Sequence, residues 1–117
     1  IQRFSWGKEI IPGITAVQAD GHTPGHTAFV IASGNEKMMY VADITNHPAL
    51  FVRRPEWQAM FDMDGERAIV TRRKILDMAA SENMRLSFYH APFPATGYVV
   101  KDGAGYEFMP ALWKTTI

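Results

Sequence analysis

Two apolar segments joined by a Gly-Asn pair constrain the fold of this chain more than any other feature. The segments are TAFVIAS at 27–33 and KMMYVADI at 37–44. Both are rich in residues that favour strands, and Gly34-Asn35 between them is a typical tight turn, so they are predicted to form a β-hairpin. Because neither segment alternates regularly with polar residues, we expect both faces of the hairpin to be covered by other layers.

Further strands are predicted before and after this hairpin. An apolar run from Ile14 to Val17 is bounded by glycine and proline and indicates an earlier strand. The segment MRLSFYH predicts a strand that ends at His90. The C-terminal sequence TGYVVKDGAGYEFMPAL predicts a closing hairpin that turns around Asp102-Gly103.

One long helix is predicted between the two groups of strands. Asp64 is a suitable N-cap, and apolar side chains recur at helical spacing as far as about Asn83. The cluster TRRK at 71–74 is predicted to lie on the solvent face of this helix, and a shorter helix is expected to open at Pro55. The order of elements predicts a single α/β domain over 1–117, with a mixed sheet and one long covering helix.

Composition excludes several classes of function. The 117 residues suffice for one domain, and 12 basic and 12 acidic side chains cancel, so charge gives no reason to expect nucleic acid or membrane partners. The absence of cysteine excludes disulfides and thiolate chemistry and leaves the compartment open between cytoplasm and periplasm. The chain begins inside a sequence pattern and without methionine, so we expect it to be a piece of a longer protein.

Histidine and aspartate occur where predicted strands end. His22 and His26 lie in the loop GHTPGHT, Asp43 ends MMYVAD, and His90 ends RLSFYH. Strand ends that meet at one edge of a sheet commonly form ligand-binding sites. Imidazole and carboxylate together are a set of metal ligands that suits zinc. Each residue also has a structural reading, as a turn or core histidine, a capping aspartate or a strand terminus. The residues alone leave both interpretations open.

Three stretches together resemble the C-terminal half of the metallo-β-lactamase superfamily. They are DGHTPGHTAFVI, MMYVADITNHPAL and FYHAPFPATGYV, and the closer likeness is to branches that include bacterial methyl parathion hydrolase-like and quorum-quenching lactonase-like enzymes. The resemblance implies half of an αββα sandwich. It also implies a hydrolase that cleaves a lactam, lactone, thioester or phosphotriester with a metal-bound hydroxide, acting on a small-molecule substrate.

The resemblance also implies roles for individual residues. It makes His22 a ligand of one metal ion, His90 a ligand of a second, and Asp43 the catalytic carboxylate that bridges the two. The ions are expected to be divalent, with zinc the first choice. His26 is implied to support the loop, while Asp20, Thr23 and Tyr89 are candidates to orient the metal-binding histidines. Residues implied in the wall of the substrate pocket are Phe93, Thr96 and Gly97.

One part of the family pattern is absent from this sequence. The motif His-x-His-x-Asp-His, which belongs to the N-terminal half of the family fold, does not occur. We therefore expect the chain alone to bind metal weakly or not at all, and to be inactive. An uncovered sheet face should drive association with the missing N-terminal half or with a second copy as a homodimer. The alternatives are a non-catalytic association module with an incomplete metal site and a structural α/β domain with chance histidines.

Overall fold

A computed structural model describes residue 1 and residues 3–113 of the chain. Within this part the chain forms one sheet of seven strands, in which spatial order follows chain order. The two helices both lie between the fourth and fifth strands in sequence, and all neighbouring strands are antiparallel except that pair. This mixed sheet confirms the predicted α/β class. The elements are β1 (Glu9–Ile11), β2 (Ile14–Gln18), β3 (Thr27–Ser33), β4 (Glu36–Ala42), α1 (Pro48–Phe51), α2 (Gly65–Ser81), β5 (Arg85–Phe88), β6 (Thr96–Asp102) and β7 (Gly105–Pro110).

Both predicted hairpins are confirmed. In the first, Phe29 of β3 pairs with Tyr40 of β4, and the turn contains Gly34 at a φ of 58°. In the second, β6 pairs with β7 around Gly103, which has a φ of 56°. Glycine adopts this left-handed conformation without the penalty that a Cβ atom would bring. The turn residues therefore fix the register of the two hairpins. The short strand β1 was not predicted.

Helix α2 begins where the sequence predicts. The Asp64 side chain accepts a hydrogen bond of 2.9 Å from the backbone N–H of Arg67, which confirms it as the N-cap. The helix ends at Ser81, two residues before the predicted end. Its apolar face covers one face of the sheet, and each aliphatic side chain buried there contributes about 1.5–3 kcal/mol. The core between them includes Ile75, Leu76 and Ala79 of α2 and Met39, Val41, Leu86 and Phe88 of the sheet.

Three local predictions are wrong. No helix opens at Pro55; the short helix α1 begins instead at Pro48, where the fixed φ of proline suits a first helical turn. Strand β5 ends at Phe88 rather than at His90. Arg72, predicted on the solvent face of α2, is only 2% exposed. The loop that follows β4 covers this side of the helix and supplies carbonyl groups that satisfy the guanidinium, which makes its burial possible.

Within residues 1 and 3–113, no helix covers the second face of the sheet. Strand pairing places Phe29, Ile31, Met38 and Tyr40 on this face, and all four are half-buried. Residues near the start of the chain contact part of it, where the rings of Phe4 and Phe29 lie 6.3 Å apart. The structure therefore covers only one face of the hairpin with helices, where the sequence predicts cover on both.

Among the described residues, neither α1 nor α2 has the length and apolar character that a membrane-spanning helix needs.

Candidate active site

The carboxyl ends of three strands meet at one edge of the sheet. Strands β2 and β4 are both antiparallel to β3, and β5 is parallel to β4, so all three run in the same direction. His22, Asp43 and His90 follow these strands in the chain. All three line one cavity of about 320 Å³. The structure thus brings together the three residues that the sequence identifies as candidate ligands. The cavity is completed by Thr45, Asn46, Ala59, Phe61 and Asp62.

Asp43 and His90 contact each other directly. The distance between His90 Nε2 and Asp43 Oδ1 is 2.9 Å. Both approach the cavity through left-handed backbone, with a φ of 46° at Ala42 and 57° at His90 itself. Residues other than glycine rarely adopt this conformation, and it concentrates at functional sites. Here it turns the segments that follow β4 and β5 out of the sheet at the same level, so that the side chains of Asp43 and His90 meet.

His22 is held by the segment that leads into α2. Its Nδ1 lies 3.1 Å from Asp62 Oδ1, and its carbonyl accepts a hydrogen bond from the Met63 N–H. Gly21 makes a very close approach here, because a Cβ atom at this position would lie only 2.4 Å from the Ala68 nitrogen. The start of α2 therefore packs directly on the loop that carries His22. Asp62 was not among the residues predicted to orient a histidine.

Asp20 has a different role from the one predicted. Its carboxylate accepts two hydrogen bonds from Arg67, of 2.9 and 3.0 Å, and its carbonyl accepts one from Thr71 Oγ1. The Arg67 hydrogen bonds lower the pKa of the Asp20 carboxyl below its usual value. Asp20 thus fastens the loop to α2 and does not orient a candidate ligand. Thr71, predicted to be exposed, is buried by this contact.

The backbone engages both ring nitrogens of His26. Nδ1 lies 2.8 Å from the Ala19 carbonyl, while Nε2 lies 3.1 Å from the Asp43 nitrogen. A carbonyl only accepts and an amide N–H only donates, so the ring carries its proton on Nδ1 and accepts at Nε2. Neither nitrogen is left for a metal ion. His26 therefore links the backbone at Ala19 to the backbone at Asp43, while the roles of His26 as loop support and of His22 as metal ligand stay predictions.

Arg72 connects α2 to the loops around the cavity. Its guanidinium donates hydrogen bonds to the carbonyls of Ile44, Pro55 and Trp57, at 2.6 to 2.8 Å. It also lies 3.8 Å from Asp62 Oδ2. Burial lowers the pKa of Arg72 and Asp62 opposes that shift, but a guanidinium remains protonated in proteins. The site therefore has a fixed positive charge behind Asp62.

The residues implied in the pocket wall separate into two groups. Phe93 and Thr96 line a second, largely apolar cavity of about 250 Å³ at the same edge of the sheet. Phe93 is 78% exposed, and its ring lies 5.1 Å from that of Trp113. Gly97 is buried within β6, where a Cβ atom would lie 2.3 Å from the Met109 carbonyl oxygen. Gly97 therefore accommodates β7 and is not among the residues that line this cavity.

The cavity fits part of a metal centre. Two imidazoles and a carboxylate are donors that zinc accepts. Thr45 Oγ1, buried on the cavity wall, lacks a hydrogen-bond partner among the described residues, as expected where a polar occupant belongs. Yet residues 1 and 3–113 contain no group of three or more His, Asp, Glu or Cys placed to hold a metal ion by themselves. Further ligands are needed to complete such a centre.

Comparisons with known proteins find close structural neighbours. No family model matches the sequence, and neither does any curated protein. AidC, a dizinc quorum-quenching lactonase solved with the product N-hexanoyl-L-homoserine, is 32% identical with a TM-score of 0.89, over 96% of this chain and 38% of AidC. The hydrolase AbOPH of the β-lactamase superfamily is 28% identical with a TM-score of 0.86, over 95% of this chain and 38% of AbOPH.

A third structural neighbour has the same fold. A probable metal-dependent hydrolase from Staphylococcus aureus is 24% identical with a TM-score of 0.71, over 94% of this chain and 40% of its own. The present chain therefore spans less than half the length of the proteins it matches. These likenesses confirm the resemblance to metallo-β-lactamase superfamily hydrolases that the three sequence stretches indicate.

Proposed function

Starting from its resemblance to the metallo-β-lactamase superfamily, we propose that this chain is the C-terminal part of a metal-dependent hydrolase that cleaves an ester-like bond. The observation that carries this proposal is the convergence of His22, Asp43 and His90 on one cavity. AidC, the neighbour of highest identity described above, is a lactonase. An N-acyl-homoserine lactone is therefore the first substrate to test, ahead of lactams, thioesters and phosphotriesters.

The proposed roles follow from the donor atoms. His22 would bind one divalent ion through Nε2, because Nδ1 faces Asp62. His90 would bind a second, and Asp43 would bridge the two, since a carboxylate has two oxygens and one of them already faces His90. Divalent ions supply Lewis acidity to such a site. The remaining ligands would come from polypeptide outside this chain, and zinc is the ion that the donor set and the dizinc neighbour favour.

The decisive experiment is elemental analysis of the chain alone and of a longer polypeptide that includes its N-terminal continuation. The longer polypeptide is expected to retain about two equivalents of metal after dialysis, as two-metal hydrolases do, and to open N-hexanoyl-homoserine lactone. The chain alone should retain much less. His22→Ala should reduce the metal content, while His47→Ala, at an exposed histidine that does not line the 320 Å³ cavity, should not. A longer polypeptide without metal would refute the proposal.

The second face of the sheet is the basis for proposing a protein partner in addition to a small-molecule substrate. Half-buried apolar side chains such as Phe29, Ile31 and Tyr98 lie on the face that neither α1 nor α2 covers. Such a face favours association. We propose that the N-terminal half covers it in the complete protein, and a second copy in the chain alone. The same face would serve a non-catalytic association module, the alternative function.

Light scattering tests the association directly. The isolated chain is expected to show a mass above that of a monomer, because the apolar face is removed from water in the associated form. Ile31→Lys, which places a charge on that face, should shift the population toward monomer, while Lys74→Glu on the exposed side of α2 should not. A stable monomer at all concentrations would contradict the proposed association without affecting the metal proposal.

A further inference from the structure

Asp62 occupies an unusual place for a carboxylate in a small domain. Its side chain is 4% exposed and lies on the wall of the cavity that contains the candidate ligands. One oxygen, Oδ1, lies 3.1 Å from His22 Nδ1. The other, Oδ2, accepts a hydrogen bond of 3.1 Å from the Ala59 N–H. Both oxygens therefore have a partner, and the hydrogen bonds hold the carboxylate in one orientation.

A buried positive charge secures this orientation. Arg72 lies 3.8 Å from Asp62 Oδ2 and is itself immobilised by hydrogen bonds to the Ile44, Pro55 and Trp57 carbonyls. Its side chain also lies over the ring of Phe51, 5.0 Å from the centroid. The carboxylate of Asp62 thus faces a fixed positive charge, and carboxylate oxygens accept hydrogen bonds but do not donate them.

The contact with the Asp62 carboxylate determines where a neutral His22 ring carries its proton. Because Asp62 Oδ1 accepts, Nδ1 must donate, and the lone pair is then on Nε2. A free histidine side chain in water prefers the opposite arrangement, with the proton on Nε2. Only a ring with a lone pair on Nε2 can offer that nitrogen to a metal ion without first moving a proton.

We propose that Asp62, backed by Arg72, is a positioning residue that fixes the tautomer and the direction of the His22 ring. This inference rests on the proposed function, in which His22 is a ligand. It gives roles at the site to Asp62 and Arg72, neither of which the resemblance to the family identifies. Carboxylate partners of metal-binding histidines act in this way, and their removal costs about 10- to 100-fold in metal affinity.

The first test needs no variant. In the ¹⁵N-labelled chain at about pH 8.5, above the ordinary imidazole pKa of about 6.5, long-range ¹H–¹⁵N spectra identify the protonated ring nitrogen. His22 is expected to carry its proton on Nδ1, and His26 should do the same because of its own backbone partners. A His22 proton on Nε2 in the unmodified chain would overturn the proposal, whether or not zinc binds.

The second test separates positioning from a general effect on the fold. Asp62→Leu should return the His22 proton to Nε2 and weaken zinc binding by the longer polypeptide about 10- to 100-fold, whereas Asp62→Asn, which keeps an acceptor oxygen, should preserve the Nδ1 tautomer. Glu66→Gln, at a nearby exposed carboxylate, is the matched control and should change neither readout. An unchanged tautomer in folded Asp62→Leu would refute the positioning role. Failure of the proposed function would appear differently, as a longer polypeptide that binds no zinc while the Nδ1 tautomer of His22 stays intact.

Discussion

Arg72→Met is expected to lower the free energy of unfolding by about 3–5 kcal/mol, the usual cost of removing one member of a buried ion pair. Methionine fills much of the same space, but it leaves three carbonyls without donors and the Asp62 carboxylate without a counter-charge. Each unsatisfied buried group adds a desolvation penalty. Because small domains have about 5–15 kcal/mol of total stability, this substitution should bring the chain close to unfolding.

Urea denaturation followed by circular dichroism measures this loss. Arg73→Met is the matched control, since Arg73 is the next residue on α2 and its side chain is 40% exposed, with an ion-pair distance of 3.6 Å to Glu56. That substitution should cost no more than about 1 kcal/mol. Adding Asp62→Asn to Arg72→Met should recover part of the loss, because the neutral amide no longer needs a counter-charge. Equal losses of unfolding free energy at positions 72 and 73 would show that the buried guanidinium contributes no more to stability than an exposed one.

The burial of Arg72 could not be predicted from the sequence, and the reason is physical. Within TRRK nothing distinguishes Arg72 from Arg73, because both are long, charged and favourable in a helix. The difference is made by the carbonyl groups of Ile44, Pro55 and Trp57, which lie 15 to 28 residues earlier in the chain and outside any helix or strand. Helical periodicity describes one helix at a time, so it carries no information about polar partners from another segment.

The role of Asp62 beside His22 was not predicted for a related reason, although the sequence contains a weak signal of it. The segment FDMDG has two carboxylates immediately before α2, and a helix N-cap needs only one of them. Asp64 takes that role, which leaves Asp62 without a local function. A spare aspartate beside a helix start is a reason to look for a partner, but only the fold identifies that partner as His22, 40 residues earlier.

Features that depend on local chemistry were predictable. The Gly34-Asn35 and Asp102-Gly103 turns and the Asp64 cap each require a particular residue type at a particular place, so the sequence reveals them. The convergence of His22, Asp43 and His90 followed from one general rule, that strands running in the same direction end at the same edge. The rule places the residues near one another. Their contacts depend on left-handed backbone at Ala42 and His90, which the sequence does not indicate.

Asp43→Asn is expected to remove metal and activity together from a longer polypeptide that contains the full site. The substitution keeps the size of the side chain but replaces one carboxylate oxygen by an amide nitrogen, which has no lone pair to offer a cation. In the proposed arrangement both ions share this carboxylate, so one atom change affects both. Activity should therefore fall by more than the roughly 100-fold that is the upper range for groups outside the ligand shell.

The fold should survive this change, which makes the result interpretable. The Asp43 N–H still donates to His26 Nε2, and an asparagine oxygen can still accept from His90 Nε2. Metal content by mass spectrometry and hydrolysis of N-hexanoyl-homoserine lactone measure the loss, with circular dichroism as the check on folding. Asp102→Asn is the matched control, because Asp102 is exposed at the last position of β6, at the opposite edge of the sheet. If Asp43→Asn keeps about two equivalents of metal and normal turnover, the bridging role is wrong, and the cavity must serve another chemistry.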